Sequence, residues 1–173
     1  MSQRDSGYIR VAFDQYETPE WVTRALLPYI PKDSLIWEPA CGSGKMARVL
    51  NADYMSDIQT GTDFLAQTYL DASGINAIIT NPPYTKATEF IERALDFMDD
   101  SGFVAMLLRT DFDHAKSRRH LFVDHKAYKK KLVLTKRIQW FEDSKSSPSF
   151  NHAWFIWYWR NKKAPTISYH FED

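Results

Sequence analysis

The segment Asn81-Pro82-Pro83-Tyr84 separates two stretches of the chain with different periodicity. Residues 75–80 form a short and mostly apolar stretch, which predicts a buried strand. After the segment, apolar residues recur at helical spacing and predict an amphipathic helix; they are Ala87, Phe90, Ile91, Ala94, Leu95 and Met98. In open α/β sheets, ligands bind at loops that follow the carboxyl ends of strands. The sequence therefore predicts an α/β fold with a candidate site at this loop.

The chemistry of this loop suits a planar group that carries an exocyclic amine. Each proline fixes its own φ and lacks an N–H, and the residue before a proline is pushed towards extended geometry. Asn81 adds a side-chain carbonyl acceptor. Asn81 and the Pro82 carbonyl can thus form a rigid pair of acceptors, and Tyr84 adds a ring. The structural alternative is a proline-rich turn with a packed tyrosine.

A second informative segment, residues 35–44, reads as a strand that ends in a glycine-rich turn around Gly42 and Gly44. Glycine permits close approach of the backbone to a ligand. A phosphate-binding loop would need Gly at the position of Pro39 and Ser or Thr at the position of Met46. The dinucleotide fingerprint would need a third glycine at the position of Ala47. Both motifs are therefore excluded.

In this order, the two segments resemble motifs of the S-adenosylmethionine-dependent amino-methyltransferases, especially the adenine-N6 DNA methyltransferases of the gamma motif order. In that family, Glu-Pro-Ala-Cys-Gly-Ser-Gly is the cofactor loop and Asn-Pro-Pro-Tyr is the catalytic loop. Tyr16-Glu17-Thr18-Pro19 resembles the motif before the cofactor loop. Asp57-Ile58 resembles the acidic end of the second strand, and Asp63-Phe64-Leu65 resembles the adenine-contacting motif. The resemblance covers about residues 15–159 and is loose in the last third.

The resemblance implies S-adenosylmethionine as cofactor, bound by Thr18, Glu38, Ala40, Cys41, Gly42, Gly44, Asp57, Ile58, Asp63 and Phe64. Several of these residues have alternative structural roles. Thr18 can cap the helix that follows, with Pro19 at its first position, and Glu38 can cap a neighbouring helix. Asp57 can bind ribose hydroxyls or form an Asx turn. Asp63 can accept from the adenine amine or sit in a turn before a core phenylalanine.

The resemblance also implies a catalytic role for Asn81, Pro82, Pro83 and Tyr84. Asn81 and the Pro82 carbonyl would accept the N–H groups of the target amine, and the methyl group would transfer in line. The target base would flip out of a duplex and stack on Tyr84. A second aromatic wall is expected from Phe150, with Trp154 as the alternative. His152 is expected to face the base edge or to be a structural surface residue.

The expected fold is α/β, the Rossmann-like class I methyltransferase fold, with a mostly parallel sheet and an antiparallel C-terminal edge strand. We expect an N-terminal tail (1–14), a catalytic domain (15–160) and a C-terminal edge strand or tail (161–173). Residues 62–65 predict a strand or a turn, and 114–123 predict a basic helix. Strands at 132–138 and 153–159 are expected to pair antiparallel across a mobile polar loop at 142–151. Val22, Ala25, Leu26 and Tyr29 are expected to form the apolar face of the first helix.

Charge is balanced over the chain but not along it. The net charge is zero, whereas the stretch from Arg109 to Arg137 contains ten basic and three acidic residues. Such a stretch is typical either of a phosphate-binding surface or of a solvated helix face. Lys129 and Lys130 are the residues that we expect to contact phosphates.

The expected partner is double-stranded DNA. RNA and a protein glutamine amide remain alternative substrates, and a non-catalytic binding subunit is a further alternative. The family usually carries a separate target-recognition domain. Without one, recognition would depend on the chain's own loops, a second copy in a homodimer, or a separate recognition subunit.

The single cysteine excludes an intrachain disulfide, and the five histidines show no metal-ligand spacing, so no metal is expected. The sequence lacks an apolar run long enough to span a membrane and a signal peptide, so we expect a cytoplasmic protein with no membrane partner.

Overall fold

The computed structural model describes residues 16–68, 74–98, 101–141, 148 and 150–172. The predicted tail 1–14 and most of the predicted loop 142–151 lie outside the described residues. The strands are β1 (Ile36–Glu38), β2 (Tyr54–Met55), β3 (Ala77–Thr80), β4 (Phe103–Arg109), β5 (Tyr128–Leu134), β6 (His152–Tyr158) and β7 (Thr166–His170). The α-helices are α1 (Glu20–Leu26), α2 (Lys45–Leu50) and α3 (Ala87–Met98). Short 3₁₀ turns lie at Leu27–Tyr29, Ile58–Thr60, Phe64–Ala66, Tyr84–Lys86, Phe112–His114 and Lys116–Leu121.

These strands form one sheet in the order β2-β1-β3-β4-β6-β5-β7. Strands β1 to β4 are parallel, β6 is antiparallel to both β4 and β5, and β7 is parallel to β5. The predicted mixed α/β sheet is confirmed, including the antiparallel pair at its C-terminal side. The antiparallel strand is β6, inside the sheet, whereas the edge strand β7 runs parallel to its neighbour. Because β2 and β3 flank β1 on opposite sides, the sheet has a switch point at the carboxyl ends of β1 and β3, where ligands bind in such folds.

Both faces of the sheet are covered. On one face, α3 packs its apolar side against Trp37, Phe155 and Trp157, and α1 and α2 cover the other face. The N–H of a buried indole requires an acceptor. The Trp154 indole donates to the Val22 carbonyl (2.8 Å), and the Trp157 indole donates to the Leu121 carbonyl (2.7 Å). Strand β6 is thereby fastened to elements on both sides of the sheet.

Three local predictions differ from the structure, and one pair of alternatives is decided by it. Residues 114–123 do not form a basic helix; they form 3₁₀ turns, because this polar stretch has no apolar stripe to bury and only Leu121 is buried in its longer turn. Residues 62–65 form a turn, which was one of the two alternatives. Tyr29 is exposed in the 3₁₀ turn after α1, where Pro28 lies at the turn's start. Pro19 is the N-cap of α1 and Thr18 makes no cap.

Candidate active site

A cavity of about 520 Å³ opens at the carboxyl ends of β1 and β3. Predicted cofactor residues that line it are Thr18, Glu38, Ala40, Cys41, Gly42, Asp57, Ile58, Asp63 and Phe64. Of the four residues predicted to be catalytic, Asn81 and Pro83 also line it. Gly44, Pro82 and Tyr84 are not in the lining; Gly44, with φ of 79°, is the N-cap of α2. Further lining residues that the sequence did not single out are Met46, Gln59, Thr62, Thr85, Lys86 and Phe90. The structure thus brings the separate motifs together around one space.

The Asp57 carboxylate holds the glycine-rich loop in place. Its Oδ2 accepts from the Gly42 backbone N–H (2.9 Å), and its Oδ1 accepts from the Gln59 N–H (2.9 Å). The second contact is the Asx turn that the sequence allowed. The first contact was not anticipated, because it joins residues fifteen positions apart. Asp57 is therefore a structural anchor of the loop, whatever it contributes to a ligand.

Glu17 clamps the same loop from the other side. Its Oε1 accepts from the Ser43 backbone N–H (3.1 Å), and its Oε2 accepts from the Ser43 hydroxyl (2.7 Å). Gly42 has φ of 51°, and a Cβ at this position would lie 3.2 Å from Glu17 Oε1. A side chain here would therefore meet both an unfavourable φ and the clamp.

Glu38 is a buried carboxyl group at the end of β1. It is 2% exposed, and among the described residues its Oε2 has no hydrogen-bond partner. Burial raises the pKa of Glu38 to about 8; a backbone hydrogen bond from Ala47 opposes the shift, and the carboxylates of Glu17 and Asp57 add to it. This end of the cavity therefore favours a ligand that brings a cation or a hydrogen-bond donor.

The side-chain amide of Asn81 has a defined orientation. Its Nδ2 donates to the Thr18 hydroxyl (3.2 Å) and to the Tyr16 carbonyl (3.4 Å). With the nitrogen engaged on that side, Oδ1 is the atom left to accept from a ligand. Thr18 thus contacts the loop at residues 81–84 directly, a role that the sequence did not predict.

Tyr84 and His152 meet beside this loop. The Tyr84 hydroxyl lies 2.9 Å from Nε2 of His152. His152 is 2% exposed, and burial, together with the positive charge of Arg109, lowers its pKa to about 4, so the imidazole is neutral near pH 7. The prediction of a surface histidine is therefore wrong. Such a buried ring can reach a ligand only through Tyr84 or after a local movement.

An aromatic cluster surrounds Tyr16. The centroid of its ring lies 6.0 Å from Tyr84, 5.5 Å from Trp140 and 5.9 Å from Phe141. Phe150, the predicted aromatic wall, instead packs its ring 3.9 Å below the Arg109 guanidinium and is not part of the cavity lining.

Two of the predicted aromatic contacts are buried in the core. Trp154, the alternative wall, is completely buried against α1, so that alternative is wrong. Phe64 is 1% exposed and packs on Trp37, Phe90 and Phe97, so it is a core phenylalanine with an edge at the cavity.

Strand β5 contains three consecutive lysines, the predicted Lys129 and Lys130 and their neighbour Lys131, and Lys130 and Lys131 do not share one surface. Lys130 Nζ donates to Thr166 and Ser168 (2.9 and 2.7 Å), whereas Lys131 Nζ bonds to the Asp113 carboxylate (2.9 and 3.0 Å). Successive side chains of a strand point to opposite faces. Lys129 Nζ donates to the Lys126 carbonyl (2.8 Å). Lys131 is largely buried in its ion pair with Asp113, and phosphate contact by Lys129 and Lys130 stays a prediction.

The described residues contain neither a candidate metal site nor a candidate membrane span. Within this part of the chain, no group of His, Cys, Asp and Glu side chains could hold a metal ion. No helix there has the length and apolar character to cross a membrane.

This chain resembles solved structures over most of its length, at low sequence identity. No protein-family model and no curated protein matches the sequence. The type IIG restriction endonuclease BpuSI superposes with a TM-score of 0.62 at 12% identity, over 88% of this chain and 26% of its own. A protein from Listeria monocytogenes assigned to the class I S-adenosylmethionine-dependent methyltransferases also has a TM-score of 0.62, at 13% identity. The match covers 94% of this chain and 67% of the Listeria protein. The M protein of the type I restriction enzyme EcoKI has a TM-score of 0.55 at 13% identity. The match covers 83% of this chain and 44% of the M protein.

The chain spans about a quarter of BpuSI and less than half of the EcoKI M protein. At these identities, the likeness concerns the fold of the shared region. Together with the strand order and the position of the cavity, it shows that the chain has the Rossmann-like class I methyltransferase fold.

Proposed function

We propose that the chain is an S-adenosylmethionine-dependent methyltransferase that methylates an exocyclic amine. The fold, the cavity at the switch point and the family order of the motifs support this cofactor. When bound, S-adenosylmethionine supplies an electrophilic methyl group on a sulfonium centre. The residues present fit such a ligand, because the buried Glu38 carboxyl can take an ammonium group. Ile58 and the edge of Phe64 offer apolar contacts to a purine, and Asp63 offers an acceptor.

The orientation of Asn81 is the observation that carries the proposal of an amine target. Thr18 and Tyr16 engage its Nδ2, so that Oδ1 is presented as an acceptor. A second acceptor is the Pro82 carbonyl, held by the two fixed φ angles of the proline pair. Two acceptors can bind the two N–H groups of one amine and direct its lone pair towards the cavity. These residues position the amine and stabilise its charge distribution. No further chemical group of the protein is needed for the transfer, because the cofactor carries the reactive methyl group.

Tyr84 and its neighbours suit an aromatic target ring. We propose that Tyr84 stacks on the base while the neutral His152 holds the Tyr84 hydroxyl. Stacking of a base on an aromatic side chain contributes ~1–3 kcal/mol. In a duplex the base would have to leave the helix to reach this position.

For the substrate, we propose adenine N6 in DNA. The support is the resemblance of Asn81-Pro82-Pro83-Tyr84 to the adenine-specific motif, and the presence of two restriction enzymes among the structural neighbours. RNA adenine and a protein glutamine amide remain the alternatives. Target sequence would be read by the chain's own loops, by a second copy or by a separate subunit.

The test is to incubate the protein with isotope-labelled cofactor and with DNA, RNA or a release factor. Nucleic acid products are digested to nucleosides and identified by mass spectrometry. We expect N6-methyladenine in DNA, and loss of the product with Asn81→Ala. Methylcytosine, or methyladenine in RNA alone, would overturn the substrate assignment and leave the cofactor proposal standing. Failure to bind the cofactor in calorimetry would overturn the whole proposal.

A contribution of β5 to DNA binding can be measured separately. If Lys129 and Lys130 contact phosphates, replacing both with alanine should weaken binding to all sequences. It should also flatten the salt dependence by roughly 0.9 per lost duplex contact. Lys131→Ala is the matched control, because Lys131 is paired with Asp113 and largely buried. Equal slopes for the double variant and wild type would exclude phosphate contacts by these two lysines.

A further inference from the structure

Strand β7 forms one edge of the sheet and presents an apolar stripe to solvent. It pairs with β5 on one side, and in the described part of the chain no strand pairs with its other side. Ile167 and Tyr169 within it and Phe171 directly after it occupy alternate positions and are 62%, 60% and 72% exposed. Thr166 and Ser168 point to the opposite face, where both accept from Lys130. The edge thus combines open backbone groups with a row of large apolar side chains.

This edge lacks the usual protection against pairing. Exposed edge strands are normally blunted by charged residues, prolines or bulges. Residues 166–171 contain no Lys, Arg, Asp, Glu or Pro. The opposite edge of the sheet, β2, has only two residues and offers little to pair with. An unprotected edge with exposed apolar side chains is suited to the addition of another strand.

Charges at the two ends of β7 indicate which strand is added. The exposed residues Lys162 and Lys163 precede it, and Glu172 follows it. A second copy running antiparallel would bring the basic start of one strand beside the acidic end of the other. We propose that β7 pairs antiparallel with β7 of a second copy of this chain across a two-fold axis, so that one sheet continues through both copies. This proposal does not depend on the proposed function.

The side-chain alternation restricts the register of such a pair. Directly opposite residues of antiparallel strands lie on the same face of a sheet, and a slip by one residue reverses the faces. Pairing centred on Ser168 sets Ile167 opposite Tyr169 of the second copy and makes the two apolar stripes continuous. Glu172 then lies opposite Ala164 of the second copy, next to Lys163 of that copy. The cavity stays open, because β4, β6 and β5 separate β7 from β3.

The first test is the mass of the protein in solution, measured by light scattering during gel filtration. We expect the wild type to be a dimer at micromolar concentration and Tyr169→Lys to be a folded monomer. Val123→Lys is the matched control, because Val123 is an exposed apolar residue outside β7 and receives the same charge; it should remain a dimer. A monomeric wild type at about a hundred micromolar, or a dimeric Tyr169→Lys, would overturn the proposal.

Cysteine crosslinking tests the register. In the proposed pairing, Ser168 faces its own copy with Cα atoms ~4.5–5.5 Å apart, which is within disulfide range. Thr166 lies opposite His170, so its copies are offset by about 13 Å along the strand. Oxidation should therefore crosslink Ser168→Cys and leave Thr166→Cys and the wild type, which retains Cys41, uncrosslinked. Absence of the Ser168→Cys product, or equal crosslinking of both variants, would contradict this pairing.

Discussion

Replacing Asp57 with asparagine separates its role as a loop anchor from a role in binding the ligand. In the wild type, both carboxylate oxygens accept from backbone N–H groups, those of Gly42 and Gln59. Asparagine has the same shape but only one acceptor oxygen. Whichever way its amide turns, an NH₂ group then faces a backbone N–H. One charge-assisted hydrogen bond is lost in a buried setting.

The expected cost is about 1.5–3 kcal/mol of unfolding free energy, the usual contribution of a hydrogen bond to a charged group. For a chain of this length, each kcal/mol shifts Tm by about 2–4 °C, so Tm of the ligand-free protein should fall by roughly 3–12 °C. Thermal unfolding without ligand measures this change, and calorimetry with S-adenosylmethionine measures affinity, which we also expect to fall because the loop lines the cavity. An anchor lowers Tm without ligand, whereas a residue that only contacts ribose does not.

The matched control is Asp53→Asn. Asp53 Oδ2 accepts from the Ile36 backbone N–H (2.8 Å) at the start of β1, away from the cavity. Asp53 is exposed, so Tm should fall less than for Asp57→Asn, and cofactor affinity should be unchanged. A ligand-free Tm of Asp57→Asn within a degree of wild type would refute the anchoring role.

Four further outcomes are expected. Asn81→Ala should abolish most methyl transfer in a folded protein. Thr18→Val should lower kcat severalfold, since it removes a hydrogen bond of about 1 kcal/mol between Thr18 and Asn81. The control Thr18→Ser keeps the hydroxyl and should have the kcat of the wild type. If Thr18→Val and the wild type have the same kcat, Thr18 does not orient Asn81. Burial raises the pKa of Glu38 above its value in the unfolded chain, so folding takes up a proton. The free energy of unfolding therefore falls as pH rises towards about 8. The pKa of His152 is lowered, so its contribution to stability changes with pH in the opposite direction, but only below about pH 6.5. Urea unfolding of the ligand-free protein between pH 6.5 and 8 should show this decline in wild type and not in Glu38→Gln. Tyr84→Phe and His152→Ala should each lower kcat, and the double variant should lose less than the product of the two effects; independent effects would contradict the hydroxyl–imidazole contact.

The sequence was sufficient to predict the elements whose signals are local. The helix at Ala87–Met98 has clear periodicity, and the run at residues 75–80 is short and mostly apolar; the helix forms as predicted, and the run forms the strand Ala77–Thr80. Basic residues between 114 and 123 suggested a helix, but no apolar stripe supports one. This segment instead forms 3₁₀ turns, and the carbonyl of Leu121 at their end accepts from the Trp157 indole. A run of basic residues without an apolar face was therefore a poor guide to helix formation.

Site residues could be predicted where they belong to contiguous motifs, and not where a contact joins distant segments. The lining by Glu38 and Asp57 was expected. In contrast, the clamp of Glu17 on Ser43 and the packing of Tyr16 against Trp140 depend on the fold. Neither has a periodic or compositional signal, because each pair is created only when the sheet has assembled.

The placement of β6 between β4 and β5 has a consequence for synthesis on the ribosome. Strand β4 pairs with β6 along its whole length, from Phe103 opposite Tyr158 to Arg109 opposite His152. Translation delivers β4 and then β5 before the strand that must lie between them. Until residues 152–158 have left the ribosome, the nascent chain carries β4 as an open edge, although its residues up to Leu108 are destined for the interior. Exposed apolar strand edges promote aggregation. Chains that terminate after β5 should therefore be captured by chaperones or aggregate, and folding should complete only when the last third of the chain has been made.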